Sequence, residues 1–325
     1  MHHFCTLFDS NYLSRGLAMY RSLQRHCPSF HLYIFAFDDQ SFRLLTTMNL
    51  RHVTVISLAD FEDPELLRIK PTRSRGEYCW TCTSSTVYYC LTKFDLPRCT
   101  YIDADLLFYA DPGVLLDEMA EQSVLITEHR YTPKYDQSKT NGIYCVQFIA
   151  FRNNADGLTA LKWWRERCIE WCYNRLEEGK FGDQKYLDDW TERFHGIHVL
   201  RHLGGGVAPW NLQQYRIAKK GEGYDVADSS GLFVPMVFFH FHWVRFLAGH
   251  RVDLGCYDLS NTPVDSIYRE YLRNILAINS ELKQAFDFHI EPAQEPRLKR
   301  FKNIIFDLKR RVQGTYFVVD LKTLS

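Results

Sequence analysis

The chain has 325 residues, enough for one large domain or a domain with an appendage, and its 46% hydrophobic content can fill a sizeable core. Lys+Arg and Asp+Glu balance at 39 each, which removes the electrostatic footprint of a nucleic-acid binder. No run approaches the ~20 apolar residues of a membrane span, and the start Met1-His2-His3-Phe4-Cys5 lacks the basic-then-apolar order of a signal peptide.

Residues 4–8 are an apolar run ending at Asp9-Ser10-Asn11, the pattern of a first strand and its loop. Helical spacing over 13–24 is followed by a strand over 31–37, a helix over 41–47 and a strand over 53–56. This alternation predicts a parallel sheet covered on both faces. A polar stretch, 70–76, precedes a helix over 78–93. Cys79 and Cys82 have the Cys-x-x-Cys spacing but no partner pair, so they read, like most of the ten cysteines, as reduced buried thiols of a cytoplasmic protein.

The next apolar run carries Ile102-Asp103-Ala104-Asp105 and continues into Leu106-Leu107-Phe108. It reads as a buried parallel strand. Side chains two apart on a strand share a face, so Asp103 and Asp105 present paired carboxylates at the strand end. Hard oxygens in that arrangement suit Mg²⁺ or Mn²⁺ held jointly with phosphate oxygens. Strands are predicted over 123–127 and 143–151, with a polar loop over 128–141 between them. A long helix over 154–174 carries Trp163, Trp164 and Trp171 at core spacing. Gly182-Asp183-Gln184 opens a short helix with Asp183 placed as its N-cap. Gly204-Gly205-Gly206 lacks a following Lys-Ser/Thr and does not sit at a first strand–helix turn, so it is neither a P-loop nor a dinucleotide fingerprint.

Residues 237–243 read as a strand with His240 and His242 on one face. Either imidazole would complete a ligand set with the two aspartates. Both also suit a hydrogen-bonded core, and His242-Trp243 can instead contact substrate. From about residue 261, two helices, 264–288 and 297–313, are predicted. The second interleaves Arg297, Lys299, Arg300, Lys302, Lys309, Arg310 and Arg311 with Leu298, Phe301, Ile304, Ile305, Phe306 and Leu308. That pattern fits an anionic membrane surface and fits equally a solvated face packed on the main domain.

Taken in order, these pieces resemble the nucleotide-diphospho-sugar glycosyltransferases of GT-A fold, nearest the family 8-like bacterial enzymes that decorate lipopolysaccharide, capsule or other surface glycans. The similarity of pattern covers roughly residues 4–250. Leu7-Phe8-Asp9-Ser10-Asn11-Tyr12 resembles the nucleotide-binding opening, and Asp103-Ala104-Asp105 the metal motif. Gly142 to Phe148 resembles the sugar-facing strand, Gly182-Asp183-Gln184 the element near the reacting sugar, and His240 the late metal histidine. The family's late motif continues His-x-x-Gly-x-x-Lys-Pro-Trp, whereas this chain reads His240-Phe241-His242-Trp243-Val244-Arg245. A cation for the departing diphosphate then falls to Arg245, Arg73 or Arg75.

The resemblance implies an α/β GT-A architecture, a Rossmann-like, mostly parallel central sheet flanked by helices. Residues 1–258 would form the catalytic domain, with its nucleotide half over about 1–110, and 259–325 a helical, partly basic extension. It implies metal binding by Asp103, Asp105 and His240, with His242 as substitute, for Mn²⁺ or Mg²⁺. Donor contacts would come from Phe8, Asp9, Asn11, Tyr12, Arg75, Tyr78, Asp103, Ala104, Gln147, Trp210, Asn211 and Arg245. Trp210 and Asn211 read equally as a buried anchor. Asp183 and Gln184 are the candidates beside the anomeric carbon, where an oxocarbenium-like state benefits from a carboxylate or amide. The implied reaction is retaining transfer from a nucleotide-diphosphate sugar, UDP-sugars foremost, to a glycan or lipid-linked acceptor. It would take place in the cytoplasm or at the inner membrane face. A sugar-phosphate nucleotidyltransferase would need a Gly-rich first loop, absent at Asp9-Ser10-Asn11-Tyr12. A non-catalytic binding module has no evident use for both aspartates.

Overall fold

Seven strands make the central sheet of the computed structural model, which describes residues 1–260, 263–290 and 297–324 and, of 297–304 and 324, the backbone only. The first half alternates as the sequence predicts: β1 (His2–Phe8), α1 (Leu13–His26), β2 (Phe30–Ala36), α2 (Asp39–Met48) and β3 (Val53–Ser57). Two short helices, α3 (Leu58–Phe61) and α4 (Pro64–Ile69), lead to α5 (Arg75–Lys93). Ser74 and Glu77 start α5 as a reciprocal capping box, three residues before the expected Tyr78.

The run expected to be one strand divides. β4 (Arg98–Ile102) belongs to the central sheet, and β5 (Leu106–Phe108) pairs elsewhere, with Asp103-Ala104-Asp105 joining them. Next come α6 (Gly113–Asp117), β6 (Val124–Glu128), α7 (Ser138–Asn141), β7 (Tyr144–Arg152) and α8 (Ala155–Glu170). The helix expected to reach residue 174 ends at Glu170. Arg73 takes the carbonyls of Ile169 and Glu170 as a C-terminal cap, and Trp171 turns extended.

The chain continues through α9 (Trp190–Arg193), β8 (Ile197–Val199), β9 (Arg216–Lys220), β10 (Gly223–Ala227), β11 (Val234–Pro235) and β12 (Phe238–His240). It ends with β13 (Arg245–Leu247), β14 (Arg251–Asp253), α10 (Val264–Phe286), α11 (Arg297–Val312) and β15 (Val318–Asp320). The strand expected over 237–243 pairs only through His240.

The sheet order is β3-β2-β1-β4-β7-β6-β8. β7 runs antiparallel to both neighbours and the other pairings are parallel, so the sheet is mostly parallel, as expected. One face packs Leu17, Leu23, Phe148, Phe238 and Tyr268. The other packs Val87, Leu161, Trp164 and Ile149 under α5 and α8. The C-terminal extension joins the first core through Ile267, Tyr271 and Ile275 of α10 and adds β15 beside β14. The basic side chains expected at 297–302 lie outside the described residues.

The triple glycine has a steric reason. A Cβ on Gly204 would lie 2.0 Å from the Pro235 carbonyl oxygen, and one on Gly205 2.6 Å from Leu200. Gly206 adopts φ +97°, which glycine tolerates, and a Cβ on it would lie 3.0 Å from Thr127 and 3.3 Å from Gln147. The backbone can therefore pass close beneath β12, where Val207 accepts the His240 amide at 3.0 Å. All ten cysteines are free thiols. Cys5, Cys90 and Cys99 meet in the core between β1, β4 and α5, and Cys79 and Cys82 lie within α5.

Candidate active site

Two strand pairings assemble the candidate centre. The Asp103 amide donates to the Gln147 carbonyl at 3.0 Å, extending the β4–β7 ladder by one residue. The chain then crosses so that β5 pairs antiparallel with β12, placing Leu106 opposite His240, and the Phe241 amide donates to the Asp105 carbonyl at 3.0 Å. A residue 135 positions later in sequence thus arrives beside the Asp-x-Asp turn. His240 Nε2 lies 3.1 Å from Asp105 Oδ1 and 3.8 Å from Asp103 Oδ2.

His240 Nδ1 is 2.6 Å from Gln147 Oε1. An amide oxygen only accepts, so the Nδ1 hydrogen is fixed there and Nε2 is turned toward the carboxylates. Imidazoles that bind metals are commonly oriented by a contact of this kind. The Tyr101 hydroxyl beside Asp103 favours its charged form. Arg15, 8% exposed, adds nearby positive potential at Asp105.

Burial opposes charge on every member, yet the interactions divide them. Burial and the Asp105 charge raise Asp103, despite His240. At Asp105 the His240 contact overrides burial and holds the carboxyl below its ordinary range. Burial would lower His240, but the Asp105 and Asp103 carboxylates raise it well above its ordinary value. The pair thus draws positive charge strongly to this point. Two carboxylates and one imidazole nitrogen, all within 4.8 Å, fit a hard divalent cation. His242 is not in that group. Burial and the neighbouring His240 lower it to about 4, and its ring packs against Trp210.

Asp183 does not cap the turn it precedes. Gln184 occupies the cap position of a short 3-10 turn, Lys185–Leu187, without a side-chain cap bond. The Asp183 carboxyl is buried beside Asp103, and burial and the Asp103 charge raise it to about 7. Linkage fixes the sign. A carboxyl near 3.8 unfolded and about 7 folded binds its proton more tightly when folded, so stability falls as pH rises from about 4 to 7. Asp183→Asn is expected to remove a dependence of up to about 1.4 kcal/mol per pH unit across that window. Melting profiles of the two proteins from pH 4 to 8 would check this, and parallel profiles would refute it.

Gln184 donates its amide to the Asn141 carbonyl at 2.7 Å, and Asp188 accepts the Ile143 amide at 2.7 Å, so this turn holds the start of β7. Asp9 caps the turn after β1 through Asn11 and Tyr12 and pairs with Arg75 Nε at 2.5 Å. Arg75 also bonds Asp38 at 2.8 Å. Asn11 and Tyr12 are exposed, whereas Phe8 packs over Gly16 in the core. Ala104 is buried.

Three residues expected at the donor make contacts within the protein. Tyr78 is buried with its hydroxyl on Glu62. Asn211 engages Ala208, His129 and Gly206 backbone atoms and is fully buried. Trp210 donates to the His129 carbonyl, while its ring lies 5.2 Å from His240 and 5.4 Å from His242. The cation candidates are already engaged: Arg245 with Asp253 at 2.8 Å, Arg75 as above, and Arg73 with Tyr173 and α8.

Tyr101, Arg15 and Thr83, whose hydroxyl donates to the Cys79 carbonyl and favours the charged form of Asp183, were not singled out from sequence. Tyr101 carried a signal, since it lies two residues before Asp103 on the same strand face. Arg15 and Thr83 sit on helices where nothing local marks them.

No protein-family model matches the chain. It is 31% identical over 293 residues to the uncharacterized protein YfnD of Bacillus subtilis (strain 168), covering 87% of this chain and 92% of that one. It is 30% identical over 295 residues to YfnF of the same strain, covering 87% and 96%. Among solved structures it resembles the galactosyltransferase LgtC in complex with donor and acceptor sugar analogs, with a TM-score of 0.51 and 13% identity over 92% of this chain and 99% of that one. At that identity the likeness establishes the fold, which is GT-A.

Proposed function

The chain belongs to the family of the Bacillus subtilis proteins YfnD and YfnF, and we propose that it is a metal-dependent glycosyltransferase moving a sugar from a nucleotide-diphosphate sugar to a glycan or lipid-linked glycan acceptor. The observation that carries this reading is the convergence of Asp103, Asp105 and His240, with Gln147 behind the imidazole, at the strand ends of a GT-A sheet. Ligands of α/β sheets bind at that edge.

A divalent cation held there would neutralise charge growing on the departing diphosphate. The chain supplies the rest. Gln147 holds the His240 ring with Nε2 toward the carboxylates. Asp183, buried beside Asp103, offers a carboxylate to the positive charge that develops at the anomeric carbon. Gln184, through Asn141, fixes the polar loop before β7. In a retaining, front-face transfer the leaving phosphate takes the acceptor proton, so the chain needs no dedicated base. UDP-sugars are the favoured donors and surface polysaccharide the favoured product.

No helix among the described residues is long and apolar enough to cross a membrane. Ile305, Leu308 and Val312 of α11 are 68%, 58% and 89% exposed, beside Lys309 and Arg311. This supports peripheral contact with an anionic leaflet. Failure to sediment with vesicles rich in anionic lipid would refute the contact.

The reading is tested by melting-temperature shifts with UDP-, GDP-, CMP- and dTDP-sugars, each with and without Mn²⁺. The expected result is a rise for one nucleotide class that requires the metal. No rise with any donor would overturn it.

A further inference from the structure

Trp243 combines three properties that packing does not explain. Its φ is +68°, a left-handed conformation that disfavours bulky residues and suits glycine. Its side chain is 42% exposed, whereas Trp164, Trp171, Trp190 and Trp210 are buried. It is also linked to the candidate centre through His242, whose ring lies 5.8 Å from that of His240 and 6.0 Å from that of Trp243.

The segment around it is held on several sides. Phe241 stacks on Tyr271 at 3.8 Å and 6°, Val244 is buried, and its carbonyl accepts from Arg15 at 3.0 Å. The same guanidinium lies 4.3 Å from the Tyr12 ring, so the Trp243 turn abuts the loop after β1. Arg245, paired with Asp253, sits 5.6 Å from the indole centroid. The backbone is thus fixed while the indole stays open to solvent. A glycine would relieve the conformation and remove an exposed apolar surface.

Resting on the glycosyltransferase reading above, we propose that Trp243 is a stacking platform for a ring of the bound substrate. Indole presents a flat face that suits either the apolar face of an acceptor pyranose or the π-face of a donor nucleobase. The turn is joined to the metal-type centre through His242 and to the Tyr12 loop through Arg15, so either ring is a ligand the site could present to the indole.

The test uses Trp243→Gly, Trp243→Phe and collisional quenching by iodide. Trp243→Gly is expected to raise the melting temperature, and a fall would overturn the proposal by showing a structural role. The difference in fluorescence between wild type and Trp243→Phe isolates the Trp243 signal. UDP with Mn²⁺ is added first, then a panel of methyl glycosides. Protection from iodide by UDP alone, with UDP affinity about tenfold weaker in Trp243→Gly, identifies the nucleobase. Protection that requires a glycoside identifies the acceptor ring. No protection by either, while a metal-dependent UDP shift in melting temperature proves occupancy, would overturn the platform and leave the glycosyltransferase reading intact. Absence of that shift with every nucleoside diphosphate would instead remove the reading on which the platform rests, and the platform with it.

Discussion

Asp105→Ala is expected to lower sugar transfer by about 10³-fold or more and to abolish Mn²⁺ binding measured by electron paramagnetic resonance. Asp105 is the carboxylate nearest His240, at 3.1 Å, and the more acidic of the pair. Asp103→Ala should act alike, since both oxygens face the same point. Gln147→Ala should give a graded loss of about 10–100-fold, because it frees the imidazole to rotate without removing a ligand. Removing Asp105 also takes away the carboxylate paired with buried His240, so the melting temperature of each variant is measured beside its metal affinity, and loss of Mn²⁺ binding counts only in a variant that stays folded. Unchanged Mn²⁺ affinity in Asp105→Ala would remove the metal assignment. Equal losses in Asp105→Ala and Gln147→Ala would mean that the histidine acts by something other than ligation.

The alternation of the first 60 residues was legible because strand and helix periods are local, and β1 to β3 form where the apolar runs place them. The paired aspartates were legible for the same reason. The partner of that pair was ambiguous between His240 and His242, because period-2 spacing assigns both to one face. The choice is made by long-range pairing: β12 ends at His240, the chain turns at Trp243, and Gln147 from β7 engages only the first imidazole. The division of the 98–108 run was invisible because nothing in its apolar pattern marks a change of sheet. Residues chosen for their chemistry, such as Asn211 and Tyr78, turn out to satisfy buried backbone or side-chain groups. Sequence displays a polar group's type, and only packing decides whether its partners lie inside the protein.

Arg310→Met is expected to destabilise the fold by about 3–5 kcal/mol, lowering the melting temperature by roughly 5–15 °C. Arg310 was read from sequence as one of several surface charges on a basic helix. It is instead 2% exposed, and its guanidinium grips Asp253 with both Nη atoms, at 2.9 and 2.7 Å, and also bonds the carbonyls of Gly255 and Thr315. Asp253, itself 2% exposed, holds Arg245 as well. Burial raises its carboxyl and the two guanidiniums override this, holding it below the ordinary range. Methionine keeps the bulk of the Arg310 stem but leaves Asp253 buried with half its compensation, and an uncompensated buried charge is what makes breaking such a pair expensive. Asp253→Asn in the Arg310→Met background should recover part of the loss, because it removes the charge that was stranded. The same pair joins α11 to the β13–β14 hairpin that follows Trp243, so Arg310→Met should also weaken metal-dependent UDP binding. Arg311→Met, one residue away and exposed, should change stability by less than about 0.5 kcal/mol. Equal melting temperatures for Arg310→Met and Arg311→Met would show that the extension is not anchored through Asp253.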